Sequence, residues 1–295
     1  MIQVFLQKSR NLVRKLIECF RYHDPALVHL EGGLGSQILG LIAFENLKES
    51  IGEQLAKCNL EYFTKGTSAG LRPWALSNYG VRIESLDKYQ DKTWLSKFKG
   101  KKDYLSSSEI KSEYWVSSRI KFKSIFDFDI ESIKILIEDR WQIPPKAKYA
   151  VVHVRRGDYL KVASKVITMQ DYKNLILRIG DLLPKYLILI SDSEIEESEV
   201  GNLQEVLPED VKLLVWDEPA ADPFTVHCIM RLADLLITGN STFSFSAALL
   251  GKNDQTVFSP VDFHSGPGTE VYNRTFRSVG GFQVWPPLLE KREES

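Results

Sequence analysis

Two stretches of this chain carry side chains suited to holding a phosphate. In VVHVRRGDY (151–159) an apolar run ends in Arg155 and Arg156, followed by Gly157 and Asp158. An arginine offers a planar fork that matches pairs of phosphate oxygens. Two guanidiniums at the end of a buried run are costly unless at least one meets an anion. Alternation along a strand puts His153 and Arg155 on one face and Val152, Val154 and Arg156 on the other; Arg156 is expected to pair with a nearby acid. In LLITGNSTFSFSAALLG (235–251) a second apolar run reaches Gly239, then Asn240, Ser241 and Thr242, then Phe243 and an apolar helix. Small polar residues there are helix caps, and a helix N-terminus is also a ready anion site. ISDSE (190–194) ends a third run, where Asp192 either accepts a ligand hydroxyl or holds Arg155 in place.

A glycine-rich turn, EGGLGSQ (31–37), follows a further apolar run and opens a helix. The dinucleotide fingerprint needs glycine at the first, third and sixth places. Counted from Gly33 the sixth place is Ile38, so hydride transfer is disfavoured, and no P-loop lysine follows. The turn still allows close backbone approach to an anion. FDFD (126–129) has the Asp-x-Asp form of metal-dependent glycosyltransferases, but Asp129 stands where a helix cap belongs, before IESIKILIEDRW. No His/Cys/Asp cluster has ligand spacing, so no metal is expected. Neither a G-x-S-x-G elbow nor a cysteine–histidine signature is present, which argues against acyl transfer.

These turns need elements to position them. Strands are expected at ALVHLE (26–31), NLEYFT (59–64), AKYAVVHVRR (147–156), KYLILISD, VKLLVWD, DLLITG and QTVFSP, with helices at 36–51, 169–183 and 241–251 between them. Apolar strands alternating with helices mean a parallel sheet covered on both faces. The 295 residues are comfortable for two domains. The expected join lies at residue 145, giving an N-terminal α/β domain over 1–145 and a Rossmann-like domain over 146–295. A net charge of −1 excludes binding nucleic acid through bulk charge. Cys19, Cys58 and Cys228 form no disulfide framework and suit a reducing compartment. No run approaches a membrane span and no signal peptide is expected. Residues 2–22 place apolar side chains on one helical face and Lys8, Arg10, Arg14, Lys15 and Arg21 mostly on the other. Two readings stand: a helix packed on its domain, or an interfacial helix on anionic lipid.

The order and spacing of GGLGSQ, HVRRGDY, SDS and NSTFSFSAALL resemble those of the bacterial α-1,2-fucosyltransferases, over roughly residues 28–262. That group is related to the α-1,6 and protein O-fucosyltransferases. The resemblance implies a GT-B-like α/β fold, two Rossmann-like domains facing across a cleft. It also implies GDP-fucose as donor, inversion at the anomeric carbon, and no metal or other cofactor. The product would carry L-fucose on the 2-hydroxyl of an acceptor sugar, galactose, within a glycan or lipid-linked glycan for surface polysaccharide. The setting would be cytoplasmic, with peripheral contact at the inner membrane face through residues 2–22. By position, Arg155 would bind the β-phosphate, and Asp158 would be the acceptor's base or a partner of Arg155. His153, Asp192, Asn240, Ser241, Thr242 and Phe243 would line the donor, and Gly33, Gly35, Ser36 and Gln37 the cleft. The chain departs from the family pattern at Ser36, Ser193, Val226, Phe245 and Ser246. Two alternatives therefore stand beside fucosyl transfer: the same fold with another nucleotide sugar, and a nucleotide-sugar-binding protein without turnover.

Overall fold

A computed structural model describes residues 26–65, 72–90, 104–105, 122–157, 166–216, 222–260, 277–279 and 282–285. Residue contacts divide the chain into two units. The first comprises residues 1–32, 37–77 and 81–110; the second comprises 33–36, 78–80 and 111–295. The described stretch 122–145, expected on the N-terminal side of the join, thus clusters with the second unit. Each unit is α/β around parallel strands, which the fold-class expectation requires of both halves.

The first unit holds a three-stranded parallel sheet in the order β2–β1–β3, from β1 (Ala26–His29), β2 (Ala56–Asn59) and β3 (Tyr104–Leu105). Helix α1 (Leu34–Ile51) leaves the glycine turn, where Gly32 has φ 77°, a left-handed conformation that glycine adopts without steric cost. The expected strand over 59–64 is a correction: β2 lies earlier, and α2 (Glu61–Lys65) follows it. Asn59 is the reason, since its Oδ1 accepts the Glu61 N–H at 2.8 Å and starts the helical turn.

The second unit is built on a seven-stranded sheet. Helix α3 (Ile130–Trp141) precedes it, capped by Asp129, whose carboxylate accepts the N–H groups of Glu131 and Ser132. β4 (Tyr149–Val154) is buried at all six positions, as a central parallel strand must be. α4 (Met169–Ile179) opens on a reciprocal Thr168–Asp171 capping box and turns Tyr172, Leu175, Ile176 and Ile179 inward at helical spacing. β5 (Tyr186–Ser191), α5 (Glu197–Gln204), β6 (Lys212–Trp216), α6 (Pro223–Leu232), β7 (Leu235–Ile237), α7 (Thr242–Leu249) and β8 (Thr256–Pro260) follow. The even-numbered residues of β4 join Leu187, Leu189, Ile237 and Phe258 in one core with α4. Tyr149, on the other face, donates to the Ile229 carbonyl of α6 at 2.8 Å.

The strand order is β6–β5–β4–β7–β8–β10–β9, with β9 (Arg277–Val279) and β10 (Phe282–Trp285) added antiparallel beyond β8. The sheet is therefore mixed, where the sequence led us to expect a parallel one. Its five parallel strands reverse direction of travel between β4 and β7. Ligands in open α/β sheets bind at that switch point, beyond the carboxyl ends of the strands.

Candidate functional site

The switch point brings together the three strand ends singled out in the sequence. Register pairs Val154 with Ser191 and Val152 with Ile237, so Arg155 follows β4 beside Asp192 on one flank and Gly239 on the other. The approach at Gly239 is close: a Cβ there would lie 2.8 Å from the His153 carbonyl oxygen and 3.2 Å from the Arg155 Cβ. Only glycine lets β7 end against the start of the arginine turn.

Asp192 organises that turn. One carboxylate oxygen takes an Arg155 N–H in an ion pair, and the other accepts the Arg156 backbone N–H at 2.8 Å. Gly157 (φ 26°) completes it, since a Cβ there would stand 2.5 Å from the Asp192 carboxylate. Of the two roles left open for Asp192, it performs the holding one. The Arg155 side chain keeps 20% of its surface exposed. Arg156 points to the opposite face and grips both oxygens of Glu199 on α5. This hydrogen bonding holds the Glu199 carboxyl below its ordinary pKa. The pairing expected for Arg156 is present.

α7 supplies the second wall. Ser241 caps it by accepting the Phe243 N–H at 3.2 Å. The glycine turn abuts the same point: a Cβ on Gly35 would collide with the Thr242 carbonyl oxygen and stand 2.5 Å from Phe243 Cα, and Ser36 Oγ lies 3.2 Å from Thr242 Oγ1. Gly35, Ser36, Asn240, Ser241, Thr242 and Phe243 thus gather around one helix N-terminus, with Gly33 two residues back in the turn. Gln37 is placed differently. It is fully buried, and its amide donates to the Gly32 and Pro73 carbonyls and accepts the Ala75 N–H, so it braces its own unit's backbone.

His153 is 3% exposed, and its Nδ1 has no hydrogen-bond partner among the described residues. Burial, aided by the positive charge of Arg155, pushes its pKa down to about 3, so the ring is neutral at physiological pH. It packs on Phe243 at 5.6 Å, and His227 packs on the same ring at 5.5 Å. His227 is fully buried and its pKa is also well below the ordinary value, chiefly through desolvation. His227 is adjacent to Val226, one of the positions where the chain departs from the family pattern, and was not itself singled out. Its partner Tyr79, 148 positions earlier, was missed, and Ser246 was noted only as a departure from the family pattern. Glu199 could have been anticipated, since α5 carries a row of acids after β5.

Asp158, the candidate base, and the basic segment 2–22 lie outside the described residues. Among the described residues no three or more His, Cys, Asp or Glu side chains gather to hold a metal, and no helix is long and apolar enough to cross a membrane.

No known family matches the chain, nor does any curated protein. Among solved structures, POFUT1 in complex with GDP is similar at 15% identity and a TM-score of 0.44, over 77% of this chain and 94% of that one. The α-1,6-fucosyltransferase NodZ co-crystallised with GDP gives 13% and 0.44, over 80% and 94%. NodZ soaked with GDP-fucose gives 14% and 0.44, over 82% and 97%.

Proposed function

We propose that this chain is a glycosyltransferase that moves L-fucose from GDP-fucose to the 2-hydroxyl of an acceptor sugar, with inversion and without a metal. The observation that carries the reading is the construction at the switch point. An arginine oriented by Asp192 follows β4, and the capped N-terminus of α7 follows β7 across Gly239. A departing nucleoside diphosphate gathers negative charge on its β-phosphate. A fixed guanidinium and a helix N-terminus stabilise such charge without a metal ion. Asp192 fixes the direction of the Arg155 guanidinium, and His153 beside it is neutral. Asp158 is the proposed base, drawing the proton from the acceptor hydroxyl as it attacks the anomeric carbon from the face opposite GDP. The acceptor is proposed to be a galactose-bearing glycan.

Calorimetry with GDP, UDP and dTDP tests the donor, followed by turnover with GDP-fucose and linkage analysis of the product. Preference for GDP and a 1,2-linked fucose are expected. Preference for UDP would refute the fucose assignment. Binding of GDP without turnover on any galactoside would favour a binding protein in place of an enzyme.

A further inference from the structure

Behind α7 runs a chain of polar groups whose direction can be worked out from the donors available. Ser246 Oγ donates its single proton to the Phe243 carbonyl at 2.9 Å. It must therefore receive, not give, in its 2.9 Å bond with His227 Nε2. His227 thus carries its proton on Nε2, which leaves Nδ1 as an acceptor for the Tyr79 hydroxyl at 2.6 Å. Tyr79 Oη, having donated, can still accept from Cys228 Sγ at 3.7 Å. From Tyr79 onward every arrow points the same way, to the first turn of α7, and the Arg231 guanidinium is a further donor beside the Tyr79 hydroxyl. His227 and Tyr79 are buried, and chains of this kind strengthen one another where water is excluded. The Tyr79 ring is independently fixed by edge contacts with Phe126 at 5.6 Å and Phe224 at 4.8 Å.

We infer that Tyr79 is a positioning residue for the donor site, setting the first turn of α7 through His227 and Ser246. The inference rests on the donor reading above, but it makes a claim of its own. The turn whose N–H groups would meet the phosphate is held from behind by a relay with one tautomer and one direction. Phe243 is the point of action, since the relay ends on its carbonyl while its ring contacts both His153 and His227.

Tyr79→Phe removes one oxygen and keeps the ring contacts, so the fold should survive. Three readouts are made on the full chain. Nitrogen-15 chemical shifts should show His227 protonated at Nε2 in the parent; protonation at Nδ1 would overturn the relay. Hydrogen exchange without ligand should quicken in the first turn of α7 in Tyr79→Phe and leave α4 unchanged; equal protection in α7 would overturn the inference. With GDP-fucose, the donor KM should rise about tenfold while kcat stays within about twofold, the size expected when one buried hydrogen bond is lost. Ser246→Ala should give the same change, and the double variant no more than either alone. A parent that fails to bind GDP refutes the donor reading, and exchange and tautomer then judge the relay by themselves. A parent that binds GDP and a Tyr79→Phe variant with unchanged KM overturn the relay and leave the donor reading standing.

Discussion

Gly239→Ala adds one methyl group where β7 ends against the arginine turn. The new Cβ would stand 2.8 Å from the His153 carbonyl oxygen, where ordinary contact begins at 3.4 Å. That carbonyl cannot simply turn away, because it accepts the Tyr172 hydroxyl at 3.1 Å. Nor can the neighbouring Arg155 backbone, 3.2 Å from the same Cβ. β4 and β7 must therefore part by roughly half an ångström at their carboxyl ends, an overpacking that costs about 1–3 kcal/mol. For a unit of this size that is a drop in Tm of roughly 2–4 °C per kcal/mol. Because the displaced residues are those that orient Arg155 against α7, GDP affinity should fall tenfold or more. The control is Gly201→Ala. Gly201 is an exposed residue inside α5, and a Cβ there would meet nothing within 4 Å. The same chemical change should stabilise there by about 0.5–1 kcal/mol through helix propensity. Thermal unfolding and GDP titration of both variants decide the matter. The reasoning is refuted if Gly239→Ala keeps the parent's Tm and GDP affinity, or if both variants are destabilised alike.

Other outcomes follow from the same geometry. Arg155→Lys should lose most turnover, nearly as much as Arg155→Ala, because a lysine cannot present two N–H groups in one plane to a phosphate or to Asp192; near-parent kcat/KM in the lysine variant would count against the phosphate role. Burial holds His153 and His227 neutral in the fold, while the unfolded chain takes up their protons near the ordinary value of 6.5. Their contribution is thus complete above that pH and drains away as pH falls below it, by about 1.4 kcal/mol per pH unit for each histidine that stays neutral in the fold. Urea unfolding between pH 7.5 and 5 should show this slope, and His227→Gln should reduce it by about half; an unchanged slope would mean His227 is not buried neutral. If residues 2–22 seek anionic lipid, deleting residues 1–22 should abolish co-sedimentation with phosphatidylglycerol vesicles, whereas undiminished sedimentation would assign them to packing on the protein.

How much of this was legible depended on whether the determining forces act locally. The strands ending in Arg155, Asp192 and Gly239 read clearly because burial on both faces demands unbroken apolar runs, as in β4. Their convergence was legible too, since a doubly wound order gathers the carboxyl ends. β2 was misplaced because NLEYFT imitates a strand's period of two, and the Asn59 hydrogen bond that turns it into helix is invisible to periodicity. β9 and β10 carry no local sign of pairing antiparallel at an edge. Gln37 looked like a ligand contact because it follows the glycines, yet its partners Pro73 and Ala75 lie more than thirty residues on. Tyr79 reaches His227 across 148 positions, a distance that no pattern along the chain reports.

Phe243 has a practical consequence. Its ring packs against two imidazoles, tilted 54° to one and 56° to the other. Ring currents must therefore displace the carbon-bound proton resonances of both His153 and His227 from their usual positions. Neither histidine titrates across the physiological range, so those resonances stay fixed when only the buffer changes. The site thereby contains its own magnetic gauge. Movement of the first turn of α7 when a donor binds would register on two histidine signals of the unlabelled protein, and a donor that leaves both in place has not engaged that turn.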